Sequence, residues 1–418
     1  MIELLPQAQS ALGLFGMVAL AWVMSENRRR LQPVLILSGL ALQIVIALVL
    51  TRIDAAREAL MQLNVVVTAL RESSRAGSSF VFGFVGGGAT PFAVSEPNNL
   101  VSLAFEVLPL VIVMSSLSAL LWYWRILPVV VGAFSLVLQR TMNIGGAVGL
   151  ACAANVFMGM VESPLLIRPY LRRLTRAELF TVLTCGLATV AGTVLVLYAI
   201  ILERTVPGAI GHILVASIIS VPAAIVISRL MIPGEESTPA DAAGAVQYKS
   251  SMDAVAQGAE DGMKLYLNIL AMLLVVVALV ALANILLAGL PEVWGAPLTF
   301  QRVVGWLFAP LVWLFGIPWS EAIPAGALMG TKTVLNELIA YLHMADLPPD
   351  ALSPRSRLIM LYALCGFANL SSVGMMTAGI TAMVPERREE IVELSLRAIV
   401  SGTLATGMTG AVIGLITP

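Results

Sequence analysis

The chain has 418 residues, of which 59% are hydrophobic and only 12% are charged, and its formal net charge is −1. Soluble domains average about 25% charged residues, and an apolar run of about 18 residues can span a bilayer. The composition therefore predicts an all-α polytopic protein embedded in a lipid bilayer. The lack of a basic surplus argues against nucleic acid as a partner.

The cysteines and the start of the chain exclude several other classes. Cys152, Cys185 and Cys365 all lie in apolar segments and none forms a Cys-x-x-Cys pair. Neither a disulfide framework nor a cysteine metal site is expected. The first ten residues contain Glu3 but no Lys or Arg, which is atypical of a cleaved signal peptide. We therefore expect the first apolar run to be a retained helix.

Residues 1–125 are predicted to form mainly scaffold helices and one interfacial helix. Residues 11–24 and 34–50 are expected to cross the membrane in opposite directions, because the Arg28-Arg29-Arg30 run between them marks the cytoplasmic side. Residues 54–75 are apolar on one helical side, which is typical of an interfacial helix. The arginines of this helix would lie outside, which the charge rule does not favour. A short outer helix at 79–88 and an inward span at 103–123 follow.

The stretch from Asn155 to Arg168 predicts a re-entrant hairpin. It places Glu162 beside Ser163-Pro164, and a Ser-Pro pair breaks a helix. A charge at membrane depth usually faces a cavity or a partner. If Arg140, before this stretch, and Arg168, at its end, both lie inside, the segment enters and leaves on the cytoplasmic face. We therefore predict a first repeat at 126–232, with a hairpin at about 145–168, a broken helix at about 178–202 and a helix at about 213–231.

The remainder of the chain predicts a second unit of the same design. A polar segment at 233–261 is expected to be a cytoplasmic linker, and 262–290 a scaffold helix. The second repeat, 300–418, would contain a hairpin at about 319–343, a broken helix at about 355–384 and a helix at about 391–417. The total is about eight transmembrane helices and two hairpins that enter from opposite faces. Residues 185–190 (CGLATV) recur as 365–370 (CGFANL), which supports an inverted repeat. Inverted repeats with broken helices are typical of secondary transporters.

Three motifs carry a family resemblance. Residues 330–341, GTKTVLNELIAY, resemble the G-x-K-x-x-x-N-E-F-V-A-[Y/F/M] signature of the concentrative nucleoside transporter family. The stretches from Asn155 to Pro169 and from Cys365 to Ser372 also agree with it. The resemblance implies a homotrimer with a fixed scaffold and a moving transport domain, in the cytoplasmic (inner) membrane of a bacterium.

The resemblance also implies a substrate site and a cation site. Glu162, Glu337, Asn369 and Ser372 would contact the nucleoside, mostly through the ribose hydroxyls. Val194 and Phe367 would supply apolar contacts near the base, beside Met160 and Val161 at the tip of the first hairpin. The cation, Na+, would be held by the side chains of Asn155 and Thr189 and by the carbonyls of Met158 and Val190. No organic cofactor is expected.

The chain departs from the family pattern at one informative place. Many members have Gln-Thr immediately before the first glutamate, where those side chains read the nucleobase, but this chain has Met160-Val161. The ribose half of the site is therefore expected to be intact and the base half altered. Coupling to H+ is the alternative to Na+, because buried carboxyls such as Glu162 and Glu337 have raised pKa values.

The leading functional hypothesis is a non-enzymatic importer of nucleosides by symport with Na+ or H+. An importer of another small polar solute is the alternative within the same class. An intramembrane enzyme with a carboxylate dyad is less favoured, because no metal-ligand cluster or catalytic motif accompanies the glutamates. A structural or sensory membrane protein, whose buried acids are only paired charges, is the fourth hypothesis.

Overall fold

The computed structural model describes residues 6–93, 102–203, 205–234, 238, 248–293 and 295–417. The regular structure of these residues is helical, apart from an isolated bridge between Val293 and Ala296. The chain is therefore an all-α polytopic membrane protein, as its composition predicts. Six described segments are long and apolar enough to cross a membrane: Pro33–Arg52, Leu103–Tyr123, Arg176–Leu202, Ala209–Met231, Ser251–Leu287 and Pro385–Ile416.

The first four helices precede the repeats. Helix α3 is longer than the predicted interfacial helix and includes the start of the predicted outer helix at 79–88. It ends at Gly83, whose φ of +66° lies in the left-handed region that glycine tolerates. Arg75 on this helix forms an ion pair with Glu106, with 3.5 Å between Nε and Oε1. The positive-inside rule does not favour an arginine on the outer side, but the charge of this one is paired. The four helices are α1 (Pro6–Val23), α2 (Pro33–Arg52), α3 (Asp54–Phe82) and α4 (Leu110–Tyr123).

Two units with the same order of elements follow, separated by a long helix. Each has one helix, a hairpin of two short helices, a helix broken in the middle and a closing helix. The first unit is α5 (Ile126–Met142), α6 (Gly146–Asn155), α7 (Glu162–Leu166), α8 (Arg176–Ala188), α9 (Gly192–Leu202) and α10 (Ala209–Met231). The second is α12 (Phe300–Leu314), α13 (Ala322–Val334), α14 (Glu337–Asp346), α15 (Pro354–Leu364), α16 (Leu370–Met383) and α17 (Arg388–Ile416). We call α6–α7 hairpin 1 and α13–α14 hairpin 2.

The long helix α11 (Ser251–Leu287) lies between the two units. It begins inside the segment 233–261 that the sequence predicts to be a linker, earlier than the predicted scaffold helix at 262–290. The cause is local: Ser250 caps the helix by accepting from the Asp253 N–H at 3.1 Å, so a polar first turn is stable. Most of the rest of that segment, 235–237 and 239–247, lies outside the described residues.

Helix α11 packs on α4 and, more weakly, on α12. The contact with α4 depends on small residues. A Cβ at Gly258 would lie 2.7 Å from the Ser116 Cα, and one at Gly262 would lie 2.7 Å from the Ile112 Cα. Small residues at such positions let membrane helices approach closely. Few other residues of α11 are buried, so most of the helix is open to the cavity described below or to the surroundings of the chain.

The bases of the two hairpins are tied to different loops. Next to hairpin 1, the buried Glu178 accepts from the Thr238 N–H and hydroxyl, both at 2.7 Å, and the Thr238 carbonyl accepts from the Ala147 N–H at 3.2 Å. Next to hairpin 2, Glu321 accepts from the Ser353 N–H and hydroxyl, both at 3.1 Å. The sequence predicts the first loop inside and the second outside, so these contacts agree with hairpins that enter from opposite faces.

An ion cluster fixes the start of the first broken helix. Arg176 contacts Glu26 at 2.9 Å and Glu393 at 2.7 Å, and Arg397 also reaches Glu26. The cluster joins α8, α17 and the loop after α1 on the side predicted to be cytoplasmic.

The two broken helices cross at their interruptions. The Phe367 N–H, in the break between α15 and α16, donates to the Thr189 carbonyl, in the break between α8 and α9, at 3.3 Å. The neighbouring Gly366 lies so close to α8 that a Cβ would be 2.9 Å from the Ala188 carbonyl oxygen. Two backbones approach here with no side chain between them. Breaking both helices leaves backbone groups that must bond to each other, to side chains or to a ligand.

We expect Gly366→Ala to lower the free energy of unfolding by about 1–3 kcal/mol, because the added methyl group overpacks the crossing. Thermal unfolding of the purified protein in detergent measures this as a lower melting temperature. Gly374→Ala is the matched control, because a Cβ there meets open space. Equal melting temperatures for the two variants would show that the crossing is not tightly packed.

Candidate substrate and cation site

A cavity of about 560 Å³ lies where the hairpins and the broken helices meet. Glu162 from hairpin 1 and Glu337 from hairpin 2 both line it. The carboxylates that the sequence singles out are therefore brought to one place. Its other walls come from α9, α11 and α16, through Ala191, Thr193, Val194, Tyr198, Asp261, Lys264, Leu265, Asn268, Ile269, Met272, Phe367, Ser371, Ser372, Met375, Ala378 and Met383.

Glu337 is the more firmly held of the two carboxylates. Asn336 caps α14 by accepting from the Ile339 N–H at 2.9 Å, which places Glu337 at the first helical position. An anion is favoured there by the helix dipole. The Tyr198 hydroxyl donates to its Oε1 at 2.6 Å and the Asn369 amide donates to its Oε2 at 2.9 Å. Glu337 is only 4% exposed, and the two hydrogen bonds fix the orientation of its carboxylate.

Asn369 lies behind Glu337 and is fully buried. It caps α16 by accepting from the Ser372 N–H at 2.7 Å while its amide holds Glu337. One side chain therefore joins the break of the second broken helix to the tip of hairpin 2. Ser372 lies beside it and lines the cavity.

Glu162 begins the short helix α7 and is exposed to the cavity. Its carboxylate folds back over Gly159, where an added Cβ would lie only 2.0 Å from Oε2. The Ser163 N–H donates to the Gly159 carbonyl at 3.0 Å and closes this tight turn. Gly159 is therefore required for the close approach of the carboxylate.

Met160 and Val161 form the apolar tip of hairpin 1. Met160 is 7% exposed and packs toward Gly186 of α8, which Met376 of α16 also approaches. Val161 lies against Gly379, where a Cβ would be 2.5 Å from its Cγ1. Both side chains line the cavity without offering it a hydrogen-bonding group. Val194 and Phe367 extend this apolar lining.

A polar cluster lies behind the tip of hairpin 1. The Asn155 amide donates to the Cys185 carbonyl at 2.9 Å and to the Thr189 hydroxyl, and the Ser163 hydroxyl donates to Asn155 Oδ1 at 3.0 Å. The structure thus brings Asn155 and Thr189 together, as the sequence predicts. Ser163 is an additional member that the sequence interpretation missed.

The other predicted cation ligands lie next to this cluster. The Val190 carbonyl accepts from the Ser217 hydroxyl at 3.2 Å, and Met158 lies in the turn that follows α6. All of the atoms that could coordinate a cation here are neutral oxygens from an interrupted helix and a hairpin turn. This donor set fits Na+, which unwound carbonyls and neutral side-chain oxygens bind in transporters.

Lys332 is a buried cation within the family motif, and the sequence interpretation assigns it no role. Its ammonium group donates to the Ala363 carbonyl at 2.9 Å and to the Thr406 hydroxyl at 2.8 Å. Ala363 lies one residue before the end of α15, where helix carbonyls lack intrahelical partners. Lys332 therefore joins hairpin 2 to the second break and to α17.

Tyr198 and Asn268 are two cavity residues to which the sequence interpretation assigns no role. Tyr198 follows Val194 by one helical turn, so helical spacing places it on the same face. Asn268 is a polar residue inside the strongly apolar helix α11, which is the available signal for it.

The comparisons with known proteins agree with these features. Models of the Na+-dependent nucleoside transporter family match residues 12–85 with their N-terminal part and 212–414 with their C-terminal part, and a nucleoside-recognition model matches 104–205. The nucleoside permease NupC of Helicobacter pylori is 32% identical over 413 residues, which are 97% of each chain. The chain belongs to the concentrative nucleoside transporter family.

Other proteins similar to this transporter include a human carrier and a protein of known structure. Human solute carrier family 28 member 3 is 30% identical over 424 residues, which cover 97% of this chain and 59% of the human protein. The structure of CNTnw in an inward-facing substrate-bound state is 32% identical, has a TM-score of 0.90 and covers 99% of this chain and 98% of its own. The relatives are transporters and permeases, so the hypothesis of an intramembrane enzyme is wrong.

We expect Tyr198→Phe to weaken nucleoside binding about tenfold. The substitution removes the hydroxyl that orients Glu337 and leaves the ring in place, and a hydrogen bond to a charged group contributes about 1.5–3 kcal/mol. Isothermal titration of the purified transporter measures the change. Tyr362→Phe is the control, because the Tyr362 hydroxyl contacts His212 at 3.0 Å and does not contact Glu337. An unchanged affinity for Tyr198→Phe would contradict the orienting role.

Proposed function

We propose that this transporter imports nucleosides by symport with Na+, and that the nucleoside binds between the two hairpins. The observation that carries the proposal is the meeting of Glu162 and Glu337 in one cavity. Two carboxylates from opposite hairpins are costly at membrane depth. A ligand with several hydroxyl donors compensates for that cost.

The ribose of a nucleoside has the matching chemistry. Its vicinal hydroxyls are donors, and an ionised carboxylate accepts strong, charge-assisted hydrogen bonds. Glu337 would accept from them in a geometry set by Tyr198 and Asn369, with Glu162 and Ser372 as the further contacts. The apolar surfaces of Val194 and Phe367 suit the faces of a base.

The polar cluster behind hairpin 1 supports Na+ as the co-transported ion. Asn155, Met158, Thr189 and Val190 would coordinate it. Ser163 joins this cluster to the substrate side, because it donates to Asn155 and directly follows Glu162 in the chain. An ion that orders Asn155 and Thr189 would therefore also order the turn that presents Glu162, which is a physical route for coupling.

Proton coupling is the alternative for the driving ion. It would require a carboxyl of Glu162 or Glu337 to take up and release a proton during the cycle. The cluster of neutral oxygens favours Na+, because a proton carrier has no need of such a cluster.

The cavity opens toward the side of the chain that the sequence predicts to be cytoplasmic. It extends to Asp261 and Lys264 near the start of α11 and to Met383 at the end of α16. The sequence predicts both of these helix ends on the cytoplasmic side, so the cavity is directed inward. Outward opening would require the hairpins and broken helices to move relative to α11, as alternating access demands.

The assembly and the location follow from the family and from the exposed surface. Helices α2 and α11 expose large apolar side chains, including Leu37 at 67%, Leu274 at 71% and Ile285 at 71%. A continuous exposed apolar surface is stable against lipid or against another copy of the chain. We propose a homotrimer in the cytoplasmic membrane of a bacterium.

An importer of a different small polar solute is the second candidate. The apolar Met160-Val161 tip favours it, because no polar side chain of hairpin 1 reads a base. Such a solute would still need adjacent hydroxyl groups to satisfy Glu162 and Glu337.

Proteoliposome uptake tests the proposal. We expect an inward Na+ gradient to accelerate uptake of radiolabelled uridine or adenosine at least about tenfold over a choline control, since a coupled carrier gains driving force from the ion.

Glu162→Gln and Glu337→Gln should each reduce uptake at least about tenfold through loss of charge-assisted hydrogen bonds, with folding and oligomeric state preserved. Nucleoside uptake that is absent under Na+ and H+ gradients alike would overturn the proposal, and normal uptake by either variant would remove that residue from the ribose site.

A pair of substitutions at Thr189 tests the cation site separately. Thr189→Val keeps the shape and removes the hydroxyl oxygen, whereas Thr189→Ser keeps the oxygen. We expect the Na+ concentration for half-maximal uptake to rise about fivefold or more in Thr189→Val, because a hydrogen-bonding or ligating oxygen is lost, and to change less than about twofold in Thr189→Ser. Equal Na+ dependence in the two variants would exclude Thr189 as a ligand.

A further inference from the structure

We propose that Asn268 of α11 supplies the polar contact to the nucleobase that the tip of hairpin 1 lacks. The inference rests on the proposed function, because it assumes a nucleoside in the cavity. It assigns a specificity-determining role to a residue outside the hairpins and the broken helices.

One face of α11 forms a wall of the cavity. Its cavity-lining residues recur every three or four positions, so they share one side of the helix. The stripe is polar toward the cytoplasmic end and apolar beyond it. From that end it consists of Asp261, Lys264, Leu265, Asn268, Ile269 and Met272.

Asn268 differs from the other polar residues of this stripe. Lys264 contacts Asp261 at 3.5 Å and Glu260 at 2.8 Å, so the two charged members already have partners. Among the residues that the structure describes, none forms a hydrogen bond with the Asn268 carboxamide. This amide lies one helical turn beyond Lys264, where α11 becomes strongly apolar. Asn268 is exposed on the cavity wall, so the donors and the acceptor of its carboxamide are available to a ligand.

The chemistry of a carboxamide suits the edge of a base. It offers two N–H donors beside an oxygen acceptor. An edge with an exocyclic amine next to a ring nitrogen, as in adenine or cytosine, presents the complementary pair, and asparagine recognises adenine in this way in nucleic-acid complexes. Met160 and Val161 offer no competing polar contact. The carboxylates of Glu162 and Glu337 are suited to the sugar, so the base is left to the other walls.

The test compares nucleosides that differ only in the exocyclic amine. Binding of adenosine and purine riboside, and of cytidine and zebularine, is measured by isothermal titration with the purified wild-type protein, Asn268→Leu and Leu267→Ala. Leu267 is the adjacent control, 53% exposed and absent from the cavity wall. We expect Asn268→Leu to bind the amino nucleoside about fivefold more weakly and to lose most of its preference over the partner that lacks the amine, as loss of one hydrogen bond predicts. Leu267→Ala should keep both affinities.

The outcomes separate this inference from the proposed function. A wild-type protein that binds none of the four nucleosides overturns both. A wild-type protein that binds them, with the same amine preference retained in Asn268→Leu, overturns the role of Asn268 and leaves nucleoside transport in place. A leucine in an apolar, largely exposed helix is compatible with folding. If Asn268→Leu binds none of the nucleosides while the wild-type protein binds them, a contact limited to the base edge is therefore also contradicted.

Discussion

The crossing of the two broken helices is the contact on which the rest of the site depends. Each break frees backbone groups that the interior of a membrane protein cannot leave unpaired. The Phe367 N–H bonds to the Thr189 carbonyl, and the closeness of Gly366 to Ala188 permits that bond. Two further backbone groups near the second break bond to side chains: Asn369 accepts from the Ser372 N–H at the start of α16, and Lys332 donates to the Ala363 carbonyl of α15. Both hairpins point at this crossing, so their glutamates reach one cavity.

The same contacts tie the substrate side of the site to the proposed ion side. Asn369 holds Glu337 and caps a half-helix, whereas Ser163 bonds to Asn155 and directly follows Glu162. Glu337 is thus connected by one hydrogen bond to Asn369 at the second break, and the residue after Glu162, Ser163, is connected through Asn155 to Thr189 at the first break. A ligand or an ion that changes the order of a break will change the position of a carboxylate. This is a local physical basis for the coupling that we propose, and it requires no long-range pathway.

Much of the fold could be predicted from the sequence because helix breakers and buried charges are local signals. The Ser163-Pro164 pair indicates hairpin 1, and the repeated Cys-Gly motif indicates both breaks. The sequence predicts too late a start for α11 because the polar first turns of the helix resemble a linker, although Ser250 caps them. The contact between Tyr198 and Glu337 joins residues 139 positions apart and leaves no pattern along the chain. The roles of the individual site residues stay predictions, and they come from the family motif more than from spacing.

The central claim is that Glu337 of hairpin 2 accepts hydrogen bonds from the ribose hydroxyls of a nucleoside, and a cycle of ligand and protein changes tests it most directly. The affinity of a nucleoside and of its 2′,3′-dideoxy analogue is measured by isothermal titration in the wild-type protein and in Glu337→Gln. The wild-type protein should lose about tenfold or more in affinity when the hydroxyls are removed, because each strong hydrogen bond to a charged group is worth about 1.5–3 kcal/mol. The variant should lose much less, since the two changes remove the same interaction. An equal loss in both proteins would contradict the account, because it would show that Glu337 does not bind the ribose hydroxyls.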